Sequence, residues 1–169
     1  MMTPNMSQPM QNRIIAVDPG YDRIGIAVFQ GSELLHSECF VPPKGEFAER
    51  LLSLSTRVTA VIKKFKPESL ALETLFFSKN QKTAIKVAEA RGVIQLAGIS
   101  AGVPIVEYSP QAVKIAVTGS GNAEKSAVMR MIEKLVKLPK KKRVDDEYDA
   151  IALGIAHTAS LKLSQAIHK

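Results

Sequence analysis

Two carboxylates stand where apolar strands would bury them, and few folds accommodate that. The segment Arg13–Asp18 (RIIAVD) is β-branched and apolar up to its last residue, and Pro19-Gly20 follows at once, so a strand runs into a tight turn with an acid at its end. Residues 69–75 (SLALETL) form a second short apolar run with Glu73 embedded in it. A carboxylate buried without a partner costs several kcal/mol, roughly, so both acids need something positive beside them. For Asp18 alone, hydrogen bonds from the Pro19-Gly20-Tyr21 turn would explain the position equally well. The recurrence at Glu73 favours a ligand site.

Around these two strands the pattern predicts an α/β domain. Ile24–Gln30 and residues 33–41 read as strands joined through Gly31-Ser32, which makes an antiparallel meander with the first. After Pro42-Pro43 the apolar spacing turns helical, with Phe47, Leu51, Leu54, Val58, Val61, Ile62 and Phe65 on one face up to Lys66-Pro67. A helix over 80–100 and a strand over Ile105–Tyr108 complete a parallel crossover, which is right-handed by rule. Pro110 opens a helical turn, 123–138 is amphipathic, and 146–164 is an apolar, alanine-rich helix. The sum is a five-stranded mixed sheet, an antiparallel meander plus parallel strands, flanked by helices on both faces.

One domain over residues 13–164 suits a chain of 169 residues that is 46% hydrophobic, with a disordered tail over 1–12 and a short tail over 165–169. The opening MMTPNMSQPMQN has neither a basic start nor an apolar core, so it is not expected to act as a secretory signal. The single Cys39 allows no internal disulfide, and a reducing, cytoplasmic setting is expected. No run approaches the ~18 apolar residues of a membrane span. A formal charge of +7 points outward to a polyanion, with nucleic acid the first candidate.

The last helix supplies the remaining acids. Asp146 and Asp149 are three residues apart and share a face; Asp145, four from Asp149, is reachable too, and spacing does not choose between them. First-turn acids also offset the positive end of a helix, which is sufficient reason for Asp145 or Glu147. Like charges about 4 Å apart repel by ~4 kcal/mol at intermediate dielectric, so a convergent set of carboxylates persists only with bound cations or protons. All-oxygen donors point to Mg²⁺ or Mn²⁺, and two ions ~3.5 to 4 Å apart would hold a phosphodiester for in-line hydrolysis. No Cys or His pair has zinc spacing. The run Gly119-Ser120-Gly121-Asn122-Ala123-Glu124-Lys125-Ser126 lacks the first glycine of a phosphate loop.

Asp18-Pro19-Gly20 after a strand, Leu72-Glu73 leading to Phe76, Ala90-Arg91-Gly92, Lys125-Ser126 and the run DDEYDAIA over 145–152 together resemble the RuvC family, the bacterial Holliday junction resolvases. The likeness runs from residue 13 to about 160 in order and with compatible gaps. It implies a ribonuclease H-like fold and a homodimer that nicks opposing strands of a four-way DNA junction symmetrically. It also implies action with RuvA and RuvB, the junction-binding and branch-migration proteins. By the same likeness the metal-binding acids fall on Asp18, Glu73, Asp146 and Asp149, a base-contacting aromatic on Phe76, and two functional lysines on Lys114 and Lys125.

Other cations are candidates by position. Lys140, Lys141, Lys142 and Arg143 form a basic run beside the acidic helix where they would steer phosphate, although a solvated loop is the ordinary fate of such a run. Arg91 and Lys79, with Lys82 and Lys86, are weaker candidates on a helix face. Of Phe76 and Phe77, adjacent on extended chain, one is expected outside and one inside. His157 lies eight residues past Asp149, roughly 12 Å along a helix, too far to share its metal shell. Ala88, Ala90, Gly92, Ala97 and Gly98 suit either a two-fold dimer contact or packing on the sheet. The rival readings are an actin-like nucleotide fold, suggested by Asp18 followed by Gly25, a junction-binding module without catalysis, and a related nuclease with another substrate.

Overall fold

The computed structural model describes residues 12–75 and 81–167. The N-terminal segment 1–11, with Phe76, Phe77 and Lys79, lies outside the described residues. The chain runs β1 (Arg13–Asp18), β2 (Ile24–Gln30), β3 (Glu33–Phe40), α1 (Phe47–Phe65), β4 (Ser69–Glu73), α2 (Gln81–Ser100), β5 (Ile105–Tyr108), α3 (Pro110–Thr118), α4 (Lys125–Leu135) and α5 (Asp145–Ile167). The sheet order is β3-β2-β1-β4-β5, with β1 antiparallel to β2, β2 antiparallel to β3, and β1, β4 and β5 parallel. This is the expected mixed sheet.

Strand alternation divides the core in two. Ile15, Val17, Ile24, Ile26, Val28, Leu70 and Leu72 point to α1 and α2, whereas Ile14, Ala16, Ala27, Phe29 and Ala71 point to α3, α4 and α5. The second face is the thinner one. Ala27, Ala16 and Ala71 stand in register across β2, β1 and β4, a row of methyl groups that lets α5 press close to the sheet. The approach is closest at Gly25 and Gly154, where an added Cβ would overlap the Asp146 carbonyl and the Phe29 ring respectively.

Several boundaries differ from the sequence reading, each for a local reason. Pro110 starts a full helix, not a single turn, because Ser109 caps it with its Oγ accepting from the Ala112 N–H at 3.1 Å and Gly119 closes it at φ 79°. The amphipathic stretch expected over 123–138 is helical only from Lys125 to Leu135, since Val136 adopts extended backbone ahead of Pro139. Strand β4 ends on Glu73, so this acid closes the strand and is not embedded in it. Helix α5 continues to Ile167, so residues 165–167 are helical where a tail was expected. The small residues of α2 split: Ala90, Ala97 and Gly98 face inward, with Gly98 against Leu70 and Ile105, while Ala88 and Gly92 are exposed. Among the described residues no helix is long and apolar enough to cross a membrane.

A polar tie runs through the core. His157 on α5 is buried, with Ser69 Oγ 2.7 Å from one ring nitrogen and Tyr108 Oη 2.8 Å from the other, so α5, β4 and β5 are joined at one imidazole. Burial pushes His157 down to about 4, and it is neutral at ordinary pH. The unfolded chain takes up this proton near 6.5 whereas the folded protein resists until about 4, so acidification through that window favours unfolding. The loss is up to about 1.4 kcal/mol per pH unit. His157→Gln is therefore expected to show a shallower fall in urea-measured stability between those two pH values than the parent protein, while being less stable at pH ~7.5 through loss of a buried tie.

Candidate active site

Parallel pairing of β1 with β4 sets the first two acids side by side. Val17 is opposite Leu72, and Asp18 and Glu73 follow on the same end of the two strands, near enough for one carboxyl to share its proton with the other. Burial holds the Asp18 carboxyl well above the usual carboxylate range, and the charges of Glu73, Asp149 and Asp146 raise it further. Burial also raises Glu73; the bond with Asp18 pulls it the other way, and the Asp149 charge raises it again. A shared proton or a cation is what such a pair demands.

Helix α5 delivers the other two. Because Gly25 pairs with Asp18 across β1 and β2, the Asp146 carbonyl resting over Gly25 brings the first turn of α5 to the strand ends. Asp149 is raised by burial, partly opposed by the Lys125 ammonium 3.1 Å away. Asp146 Oδ2 lies 3.1 Å from Arg23 Nε, an ionic approach without hydrogen-bond alignment, which leaves that oxygen buried and unbonded. The Asp145 side chain is 64% exposed and meets Lys125 at 3.3 Å. The Asp146 side chain is only 23% exposed, so of the two it is the one withdrawn from solvent. Among the described residues no three acidic, histidine or cysteine side chains enclose a point as they stand, since Asp146 is turned to Arg23 and Asp149 to Lys125.

A cleft of about 240 Å³ opens beside the acids, lined by Glu73, Asp149, Lys114, Lys125, Tyr148 and Val113. Helix α3 carries Lys114 to it and the start of α4 carries Lys125, so the two lysines meet one wall of acids. Other expected DNA contacts divide sharply. The Arg91 guanidinium donates to the Glu73 carbonyl at 3.1 Å and pairs with the exposed Glu107, so it braces β4 while remaining partly exposed. Lys140, Lys141 and Lys142 are exposed, and Lys141, like the withdrawn Arg143, meets Glu147. Lys82 is exposed, and Lys86 sits over the rings of Tyr21 and Phe47 at 5.4 and 5.6 Å.

Three participants escaped the sequence reading. Arg23 was signalled only as the one cation in the turn after Asp18, and Ser37 not at all. Glu147 carried the signal of an acid inside the acidic run, which helix-end electrostatics explained too readily. Gly25, read as a hint of a phosphate motif, serves the close approach of α5 instead.

A family model described as crossover junction endodeoxyribonuclease RuvC matches residues 14–157. The RuvC protein of Halothermothrix orenii is 42% identical over 157 residues, covering 90% of this chain and 95% of that protein. That of Moorella thermoacetica is 39% identical over 151 residues, covering 86% and 90%. Among solved structures, Thermus thermophilus RuvC in complex with a Holliday junction substrate superposes with a TM-score of 0.83 at 32% identity, over 90% of this chain and 96% of that one. The yeast mitochondrial Holliday junction resolvase shares the fold, with a TM-score of 0.69 at 12% identity. The match spans most of the chain, and the chain belongs to the RuvC family of crossover junction endodeoxyribonucleases.

Proposed function

We propose that this protein resolves four-way DNA junctions by metal-dependent hydrolysis of phosphodiester bonds, with Asp18, Glu73, Asp146 and Asp149 as its metal-binding acids. The observation that carries this is the strand-end pair Asp18 and Glu73, half-buried side by side with both carboxyls raised by desolvation, near Asp149 of α5 in a member of a junction endonuclease family. The set fits a hard divalent cation: every donor is a carboxylate oxygen, and the Asp146 Oδ2 is buried without a hydrogen bond. Mg²⁺ or Mn²⁺, two ions per site, would polarise the phosphodiester and activate a water for in-line attack. The protein's own contribution is to crowd four carboxylates at one sheet edge and to hold Lys125 and Arg23 where they neutralise Asp149 and Asp146 until cations and phosphate arrive.

Lys114 and Lys125, on the cleft wall, are assigned to the phosphates flanking the cut, and Lys140 and Lys142 to the outer backbone. Phe76, a few residues beyond Glu73 in the chain, is assigned to stacking on a base at the opened junction centre. The reaction belongs to recombination and repair in the cytoplasm, with RuvA and RuvB as partners by family likeness. The active unit is a homodimer. Its support is the outer face of α2, where Ile85, Leu96 and Ile99 are 62%, 67% and 61% exposed and Gly92 leaves open space, one apolar stripe along a single helix face.

Three outcomes follow from this reading. Asp18→Asn and Glu73→Gln should each slow cleavage of a synthetic four-way junction by about 100-fold or more, since even outer-shell partners of a metal contribute about 10 to 100-fold. Junction binding should persist in both, and a parent protein that leaves junctions intact in Mg²⁺ and Mn²⁺ overturns the assignment. In metal-free buffer the raised Asp18 carboxyl stabilises the fold below the ordinary carboxylate range and loses that contribution as pH rises through its own raised value. Asp18→Asn should therefore melt higher than the parent at pH ~7.5, by several degrees at about 2 to 4 °C per kcal/mol, an advantage that shrinks towards pH ~4. Leu96→Glu, which places a charge in the α2 stripe, should convert dimers to monomers in light scattering and leave the circular dichroism spectrum unchanged.

A further inference from the structure

Helix α5 carries, between its two site acids, a third acid that the metal chemistry does not use. Glu147 is only 4% exposed. Its Oε1 accepts from Ser37 Oγ at 2.6 Å and lies 2.6 Å from Lys141 Nζ and 3.2 Å from Arg143 Nε. Lys141 also donates to the Ser37 carbonyl at 2.8 Å, and Arg143 Nη1 to the Pro139 carbonyl at 3.0 Å. The Arg143 side chain is 2% exposed, and its Nε and Nη2 have no hydrogen-bond acceptor, so Glu147 is its charge partner by proximity. One carboxylate thus fastens the basic loop and the first turn of α5 to β3. Ser37 pairs with Ala27 and Cys39 with Gly25, which puts this fastening beside the point where the Asp146 carbonyl lies over β2.

We propose that Glu147 is a positioning residue: through Ser37, Lys141 and Arg143 it fixes the rotation of the first turn of α5, and with it the direction in which Asp146 and Asp149 present their carboxylates. Successive helical residues are about 100° apart, so a turn that slips about its axis moves Asp146 and Asp149 together relative to the rigid strand acids. The basic run is consequently two things. The buried Arg143 and the Lys141 ammonium, whose side chain stays 43% exposed, reach back to Glu147 as a strap, and Lys140 and Lys142 are exposed. This rests on the metal-site reading above but concerns the aim of the helix acids, not the identity of the substrate.

The test uses the full-length protein and a readout that needs no cleavage. Mn²⁺ affinity is measured by calorimetry for the parent, Glu147→Gln, Arg143→Lys and Lys140→Ala. Glu147→Gln is expected to weaken Mn²⁺ binding about 10 to 100-fold, the range for groups that orient metal ligands, with Arg143→Lys intermediate because it keeps the charge, and Lys140→Ala unchanged. Single-turnover cutting of a four-way junction at saturating enzyme should fall for Glu147→Gln and less for Arg143→Lys, while the junction Kd in Ca²⁺ stays within about twofold of the parent for Glu147→Gln. Lys140→Ala should instead weaken junction binding and lower its salt slope by about one. Should Glu147→Gln fail to fold by circular dichroism, Ser37→Ala removes one bond of the clamp at an outer site and is expected to weaken Mn²⁺ measurably. Parent-like Mn²⁺ affinity in a folded Glu147→Gln or Ser37→Ala protein overturns the proposal, as does a fall in the salt slope for Arg143→Ala matching that of Lys140→Ala. Failure of the parent to cut junctions would overturn the functional reading alone, since the Mn²⁺ series still reports on Glu147.

Discussion

The close seating of α5 on the three central strands is the constraint on which the rest depends. Nine residues of that helix are buried, and the surface beneath them is the alanine row Ala27, Ala16 and Ala71 with Gly25 at its end. Any larger side chain in that row would lift the helix, and the cost would be paid twice, in packing and in the distance from Asp146 and Asp149 to Asp18. The large aliphatic residues sit on the opposite face with α1 and α2, so the sheet is thick where it needs cohesion and thin where it needs approach.

Crowded acids are the consequence, and the protein manages their repulsion with its own cations. Lys125 bridges Asp149 and Asp145, Arg23 stands against Asp146, and the raised carboxyls of Asp18 and Glu73 favour a proton held between them. Desolvation is the first cause of the raised values at Asp18, Glu73 and Asp149, so burial sets the demand and neighbouring charges only adjust it. Two arginines answer a related need. Arg91 ties the end of β4 to β5, and Arg143 with Lys141 ties the start of α5 to β3, so two of the three elements that carry site acids are braced by cations.

Much of the fold was legible in the chain because its signals are local. Period-two apolar runs, the Gly31-Ser32 turn, Pro42-Pro43 and the 3.6-residue spacing of α1 are each read within a dozen residues. The helix at Pro110 was underestimated because its cap, Ser109, and its stop, Gly119, had to be weighed against a short apolar stretch. The site was half legible: Asp18 and Glu73 declared themselves as carboxylates in strands, and the lysines by family likeness, whereas Arg91, Lys141 and Arg143 looked like any surface cations. Charge tells that a residue seeks a partner but not which one.

By itself the sequence determined the mixed sheet, the order of elements, the acids at the ends of strands and helix, and the family to which they point. Those follow from covalent neighbours and from repeating patterns. Only the tertiary structure decided that Asp146 stands against Arg23 while Asp145 stays exposed beside Lys125, that Lys141 and Arg143 both meet Glu147, and that Gly25 serves a helix contact. These depend on contacts between residues distant in the chain, such as Ser37 with Glu147 or Ser69 with His157, whose energies arise only once the helix has settled on the sheet and water has left the space between them.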